Sequence, residues 1–406
     1  MGEARSRAPK QVVPIARHGR LRRRHPFGAI FKVIASTLAV LLVSVVGVAA
    51  VALAQLEGNI EAVALENEVE GAPPPELGDF EGGFNVLIVG SDVRRGYSEL
   101  NDVNILVHVS QDHSHVTAVS FPRDMVVPIP SCPRKNGGYY AAMSAQPINV
   151  TLSYGGLACT VKTVEALTGL QIPYAAKITF GGVVRMSTAV GGVDVCVNGP
   201  IIDRKANNIN LPKAGTYSVQ GEQALGFLRT RYGVGDGSDL GRISNQQVYL
   251  SSLVRKVKSE DVLTNPAALF RLATVASQSM QLSTYLNNVN TMVAMASVLR
   301  KIDLDQVKFV QYPSTTGVGG VYSGKVAPIK HKADELFALI RADKPFSLVQ
   351  GNTGRGSVLD KNAPPAPTAT EAPEGEETPA PPKDKGPVLT GVYGQSAADY
   401  SCSKPN

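Results

Sequence analysis

Two aspartates and four arginines carry most of the chemical content of this sequence. Asp92 closes the run Phe84–Val89, Gly90-Ser91-Asp92, and Asp102 precedes the apolar run Val103–Val109. A carboxylate ending one strand and another opening the returning strand meet at one sheet edge, where open α/β sheets place their sites. Two such groups suit Mg²⁺, which is held by one or two carboxylates plus substrate phosphates; Mn²⁺ is the alternative ion. Singly, each Asp is better read as turn or cap chemistry. Phe121-Pro122-Arg123-Asp124 ends another strand, and Leu228-Arg229-Thr230-Arg231 sets two guanidinium groups two residues apart. If Ser238 caps a helix, Asp239, Arg242 and Gln246 share one face beside a helix N-terminus, a natural anion site. Arginine grips phosphate with a bidentate fork, and Arg123, Arg229, Arg231 and Arg242 together balance a pyrophosphate. For any one of them alone, a surface salt bridge is the better reading.

The elements that must position these groups are legible from periodicity. Phe84–Val89, Val103–Val109, Val116–Phe121, Ile172–Phe180, Gly192–Val197 and Gln306–Tyr312 read as strands. Thr160–Leu167, Val183–Ala189, Gly221–Arg231 and Ser238–Lys258 read as helices, with two or three more in Asn265–Ile302. Strands interleaved with helices predict a single α/β/α sandwich with a mixed central sheet over residues 84–344. His113 and His115 fall in a turn between two strands and read as solvated turn residues. No metalloprotease helix, Walker A loop, nucleophile elbow or dinucleotide fingerprint is present.

The formal net charge is +6, but its distribution excludes a nucleic-acid footprint. Residues 1–32 hold nine of the 40 Lys and Arg and one of the 34 acids, leaving 31 bases and 33 acids for the rest. Val33–Leu56 is 24 residues without a charge, enough for a helix across a bilayer core. The basic block before it and the glutamates after it predict a signal anchor with a cytoplasmic N-terminus and an extracytoplasmic body. Residues 57–83 read as an acidic stalk. From 345 to 406 the chain reads as a flexible Pro/Glu-rich tail, of which Val388–Asn406 either docks back or stays loose; removing 361–406 should leave the site intact. All four cysteines fall outside the membrane, where disulfides form. Cys132–Cys159 is the favoured pair and Cys196–Cys402 the second, among three connectivities.

The motifs together resemble the LytR-CpsA-Psr family of cell-envelope proteins. They run in order: Val89-Gly90-Ser91-Asp92, Asn101-Asp102, Ser120-Phe121-Pro122-Arg123-Asp124, Ile148-Asn149 with Tyr154-Gly155-Gly156, Gly191-Gly192-Val193, Gly221-Glu222-Gln223-Ala224-Leu225, Arg229-Thr230-Arg231, and Ser238-Asp239-Leu240-Gly241-Arg242 with Gln246-Gln247. The resemblance covers about residues 84–250. It implies a Mg²⁺-dependent phosphotransferase that moves a glycopolymer, such as a teichoic acid or arabinogalactan, from a polyprenyl-pyrophosphate carrier onto peptidoglycan. Asp92 and Asp102 would hold the metal. Arg123, Arg229, Arg231, Arg242 and Gln246 would bind the pyrophosphate, with Asp239 in the same site and the lipid in an apolar groove. Asp92, Asp102, Arg123 and Asp239 are thus the expected catalytic set. Two positions depart from the family pattern: Leu100 and Pro147 stand where it often has Arg and Lys, with Arg94 or Arg95 as local substitutes. A pyrophosphatase and a non-catalytic envelope-binding or regulatory protein are the alternatives.

Overall fold

The structure, a computed structural model, describes residues 61–66, 68, 74–75, 83–93, 98–134, 136–259, 272, 274–276, 278–360, 362–363 and 386–406. The basic segment 1–32, the apolar segment 33–56, most of 57–83 and the run 364–385 lie outside the described residues, as do Arg94 and Arg95. Among the described residues no helix is long and apolar enough to cross a membrane.

A mixed sheet of eight strands forms the centre. Its members are β1 (Glu61–Val63), β2 (Phe84–Asp92), β3 (Leu100–Val109), β4 (Val116–Phe121), β5 (Tyr174–Thr179), β8 (Met280–Ser283), β9 (Val307–Gln311) and β11 (Gly394–Ser396). Across the sheet they run β1-β8-β5-β2-β3-β4-β9-β11. The pairs β1–β8, β2–β5 and β4–β9 are parallel and the others antiparallel. Alternation along each strand sends side chains to two cores. Leu87, Val89, Leu106, Val119 and Phe121 pack with α1 (Thr151–Thr168) and α6 (Lys330–Arg341). Val86, Ile88, Ile105, Val107 and Ala118 pack on the other face with Met292, Met295 and Val298 of α5 (Val289–Lys301). Each fully buried Leu, Val or Phe there contributes about 1.5–3 kcal/mol relative to exposure. The α/β/α expectation with a mixed sheet holds.

Helix α1 begins nine residues before the expected Thr160, as a short first turn that meets the longer helical run at a kink where Gly155 and Gly156 leave the helical conformation. A side chain at Gly155 would place its Cβ 2.8 Å from both the Pro133 carbonyl and Cys159 Cβ. The helix ends at Gly169, in the left-handed conformation that glycine adopts freely, and α2 (Phe180–Ala189) follows β5.

Residues beyond the central sheet correct two expectations. The strand β6 (Val193–Val197) does not join the central sheet. It builds a second sheet of four strands with β7 (Gly215–Val219), β10 (Ser357–Leu359) and β12 (Ser401–Ser403), in the order β7-β6-β12-β10. Val193, Val195, Val197 and Val219 pack there on Ala224 and Phe227 of α3 (Gly221–Arg229) and on Tyr249 of α4 (Asp239–Ser259). The flexible tail over 345–406 is overturned on both flanks of its Pro-rich run. Ser347–Leu348 pairs with Val388–Leu389, β11 edges the central sheet, and β12 lies between β6 and β10. Phe346, Leu389, Val392 and Cys402 are buried. Averaging composition over 345–406 hid a few apolar residues on its two flanks, whose strand partners include residues far away in sequence.

Both expected cysteine pairs stand at disulfide distance, with Cα atoms 5.1 Å apart for Cys132 and Cys159 and 4.4 Å for Cys196 and Cys402.

Candidate active site

The site forms where β3, the loop after β4, the end of α3 and the first turn of α4 converge. Asp102 is 7% exposed near the start of β3, beside a register shift between Gly90 and Ser91 of β2. Its neighbour Asn101 fixes that edge. The Asn101 amide donates to Asn104 Oδ1 at 2.8 Å and Thr151 Oγ1 at 2.9 Å, and its oxygen accepts from Leu152 N–H at 3.1 Å. The start of β3 is thereby pinned to the start of α1.

Ser238 caps α4 as expected, its hydroxyl accepting from Gly241 N–H at 3.2 Å. The first turn then carries Asp239 and Arg242 inward. Arg242, 4% exposed, lies 2.5 Å from Asp239 Oδ1 and 3.8 Å from Asp102 Oδ1, and it donates to the Asp102 carbonyl at 3.0 Å. Asp239 Oδ2 in turn accepts from the Arg123 backbone N–H at 2.9 Å. The Arg123 guanidinium is ion-paired to Asp102 and reaches Asp124 at 3.6 Å. Arg231 lies 3.4 Å from Asp124 and donates to the Gly237 carbonyl at 3.1 Å. The result is an alternating chain of charge, Arg231–Asp124–Arg123–Asp102–Arg242–Asp239. Burial works to raise the Asp102 pKa, but Arg242, Arg123 and Arg229 outweigh it and hold the carboxyl below its ordinary range. Burial likewise works to lower the Arg123 pKa, and Asp102 and Asp124 reverse it.

Two cavities share this wall. One, of about 140 Å³, is lined by Arg123, Arg229, Arg231, Arg242 and Lys205 against Asp102 and Asp203, five cations to two acids. The other, of about 150 Å³, is apolar, with Ile88, Val103, Ile105, Ile178, Phe180, Val183, Leu225 and Leu250 in its walls. Asp102, Arg229 and Arg242 line both. Arg229 marks the seam: its guanidinium sits 4.2 Å over the Phe180 ring and donates to Asn207 at 2.7 Å.

All four arginines expected from sequence therefore converge, with Asp102 among them and Asp239 directly behind. Gln246 sits on the apolar wall, its amide donating to the Leu228 carbonyl at 2.9 Å, so it buttresses the segment that presents Arg229. Asp92 is buried at the end of β2, opposite Leu100, and lines neither cavity. Pro147 precedes a single turn, 148–150. Sequence reasoning missed Asp203 and Lys205. Asp203, 5% exposed, accepts from Thr230 Oγ1 at 3.0 Å and from the N–H groups of Arg231 at 3.3 Å and Tyr232 at 3.2 Å. It fixes the backbone between the two basic residues. No local signal marks it, since these partners lie 27–29 residues away.

Asp92 and Asp102 are both buried on the paired strands β2 and β3 and offer oxygen donors of the sort Mg²⁺ takes. Arg123 already engages Asp102 Oδ1.

Comparison with known proteins extends the resemblance. Cell wall biosynthesis protein LcpA of Corynebacterium glutamicum is 29% identical over 342 residues, which cover 75% of this chain and 63% of that protein. The polyisoprenyl-teichoic acid–peptidoglycan teichoic acid transferase TagT of Bacillus subtilis is 26% identical over 73% of this chain and 89% of its own length. Among solved structures, the LytR-Csp2A-Psr enzyme from Actinomyces oris matches with a TM-score of 0.53 at 20% identity, over 69% of this chain and 95% of that one. That likeness concerns the fold. The LytR_cpsA_psr family model matches residues 53–337, well past the stretch that carries the sequence motifs and across nearly all of the central sheet, and the chain belongs to the LytR-CpsA-Psr family.

Proposed function

We propose that this chain is a membrane-anchored extracytoplasmic phosphotransferase that moves an anionic or wall glycopolymer from a polyprenyl-pyrophosphate carrier onto peptidoglycan, forming a phosphodiester. One observation carries the reading. A pocket with five cations against two acids shares Asp102, Arg229 and Arg242 with an apolar cavity, which suits a ligand with an anionic head and a hydrocarbon tail. The names of LcpA and TagT support a role in wall assembly.

In this mechanism the acceptor hydroxyl attacks the phosphorus that carries the glycopolymer, the bond to the bridging oxygen breaks, and the hydroxyl proton passes to the lipid phosphate that leaves. The transition state of such a transfer is loose, so positioning and charge neutralisation matter most. Arg123, Arg229, Arg231 and Arg242 hold the phosphates and take up the charge that develops on the leaving group. The buried Nε–H of Arg242 has no hydrogen-bond partner, a donor ready for a phosphate oxygen. Asp102, kept ionised, orients Arg123 and Arg242 and is poorly suited to accept a proton. Asp239 fixes Arg242 from behind. Asp92 and Asp102 would hold a divalent cation, whose chemistry there would be further neutralisation of phosphate charge.

The test is to incubate the detergent-solubilised full chain with a polyprenyl-pyrophosphate-linked glycopolymer, peptidoglycan fragments and Mg²⁺. Polymer joined to peptidoglycan through a phosphodiester is the expected product. Free phosphorylated polymer would replace transfer by pyrophosphate hydrolysis. Binding of the donor without turnover would make the protein a non-catalytic binder.

A further inference from the structure

At the end of the central sheet away from the arginines, three ligating side chains from three segments close on one point. His108 lies near the end of β3, His115 immediately before β4, and Asp343 just past α6. One ring nitrogen of each histidine and one oxygen of Asp343 lie within 4.8 Å of one another. His108 is 1% exposed and His115 5%, so neither is the solvated turn residue that the sequence suggests for His115. Asp343 is anchored as well, with its Oδ2 accepting from Gln111 N–H at 3.0 Å.

The hydrogen bonds around His108 pose a specific problem. Its Nδ1 lies 3.0 Å from Asn85 Oδ1. The Asn85 amide cannot be reversed without loss, because its Nδ2 donates to the Gln171 carbonyl at 2.8 Å. Nδ1 must therefore carry the proton. In the neutral ring that leaves Nε2 as a lone pair, yet Nε2 faces Asp343 Oδ1 at 3.2 Å. Two acceptors opposed at that distance, with His108 buried and Asp343 only 19% exposed, need a positive centre between them. It is either a proton or a metal ion. Tetrahedral zinc with bonds near 2.0–2.2 Å separates its ligand atoms by about 3.3 Å, matching the His108–Asp343 spacing. A ligating histidine whose other N–H donates to an amide oxygen is the usual arrangement around such an ion. A proton satisfies His108 alone; His115, whose Nδ1 lies 3.0 Å from Ser114 Oγ, would take no part in it.

We infer that His108, His115 and Asp343 form a site for a zinc-type divalent ion, which ties the β3–β4 hairpin to the end of α6. Two imidazoles and a carboxylate leave room for a water as the fourth ligand. The other charged groups facing His115 are Lys308 and Asp112. Lys308, packed over the Phe346 ring, opposes a cation but also favours the neutral imidazole that ligates. Burial, helped by His108 and Lys308, lowers the His115 pKa against the pull of Asp343. Six residues of extended strand, about 20 Å, separate His108 from Asp102. The ion is therefore a structural tie, independent of the proposed transfer reaction.

Zinc alone is the probe. The detergent-solubilised full chain, stripped with chelator, is titrated with Zn²⁺ against a chromophoric competitor, and Co²⁺ is added in parallel for its visible absorption. The result expected is one tight ion per chain, a raised melting temperature and a four-coordinate cobalt spectrum. Asp343→Asn should weaken binding roughly tenfold or more while the protein stays folded. Asn tolerates the positive φ of 51° at this position and can still accept from Gln111. His115→Gln should behave alike, and the exposed His331→Asn should change nothing. No tight zinc on the unaltered chain would overturn the inference, as would Asp343→Asn and His115→Gln variants that bind zinc as well as the unaltered chain does.

Discussion

At the scale of single residues, the site is a set of like charges held together by acids placed between them. Arg229 and Arg231 are only partly buried and line the charged pocket. Their contacts include Asn207 and the Phe180 ring for Arg229, and Gly237 and Asp124 for Arg231. Arg229→Ala and Arg231→Ala should therefore each weaken binding of a polyprenyl pyrophosphate by about one to two factors of ten, the roughly 1.5–3 kcal/mol of a charge-assisted hydrogen bond. Their melting temperatures should move little, since an exposed ion pair contributes about 0–1 kcal/mol. Lysine should rescue poorly, lacking the bidentate fork. Calorimetric titration and thermal unfolding of the Ala and Lys variants check this; unchanged affinity in the Ala variants would end the pyrophosphate assignment. The arginines were legible in the sequence because each stands in a motif that makes sense as anion chemistry. Asp203 was not, because its work is done on a backbone 27–29 residues away and a lone Asp at a strand end before a turn has many commoner roles.

At the scale of elements, periodicity found the strands and helices that frame the site. What it missed were partnerships. A strand such as β6 looks the same whether it joins the central sheet or a second one, because alternation reports a buried face and not its neighbour. The segments 347–360 and 386–403 are short, polar in places, and flank a Pro-rich run, so their own sequence gives little sign of pairing. Once paired, they matter. We expect both cysteine pairs to be oxidised in protein from the cell envelope, and the Cys196–Cys402 link to matter more. It closes a separation of 206 residues against 27 for Cys132–Cys159, and chain-entropy bookkeeping gives about 5 against about 3.5 kcal/mol. The double variant Cys196→Ser/Cys402→Ser should therefore melt lower than Cys132→Ser/Cys159→Ser. Peptide mapping under non-reducing conditions reads the links directly, and four free thiols would sink the expectation. By the same packing, removing 361–406 should cost the second sheet its inner strand, contrary to what composition alone suggests.

For the whole molecule, the proposed reading includes an orientation. From the basic segment 1–32 and the apolar 33–56 we propose a cytoplasmic N-terminus and an external domain. In cells stripped of wall, external protease should digest the domain while an epitope placed ahead of residue 33 survives; digestion of both in intact cells, or of neither after wall removal, would reverse the topology. The general architecture was legible because strands and helices alternate strongly through the body of the chain. The completed architecture was not, because its last members come from distant sequence. That distance has a consequence in time. β6 must wait for β12, whose Cys402 lies 206 residues beyond Cys196. At roughly 5–20 residues per second of synthesis, the wait is about 10–40 s. Through that interval the growing chain exposes an unpaired strand edge and a lone thiol, so the last step of maturation is a race between the arriving strand and any other partner for that edge.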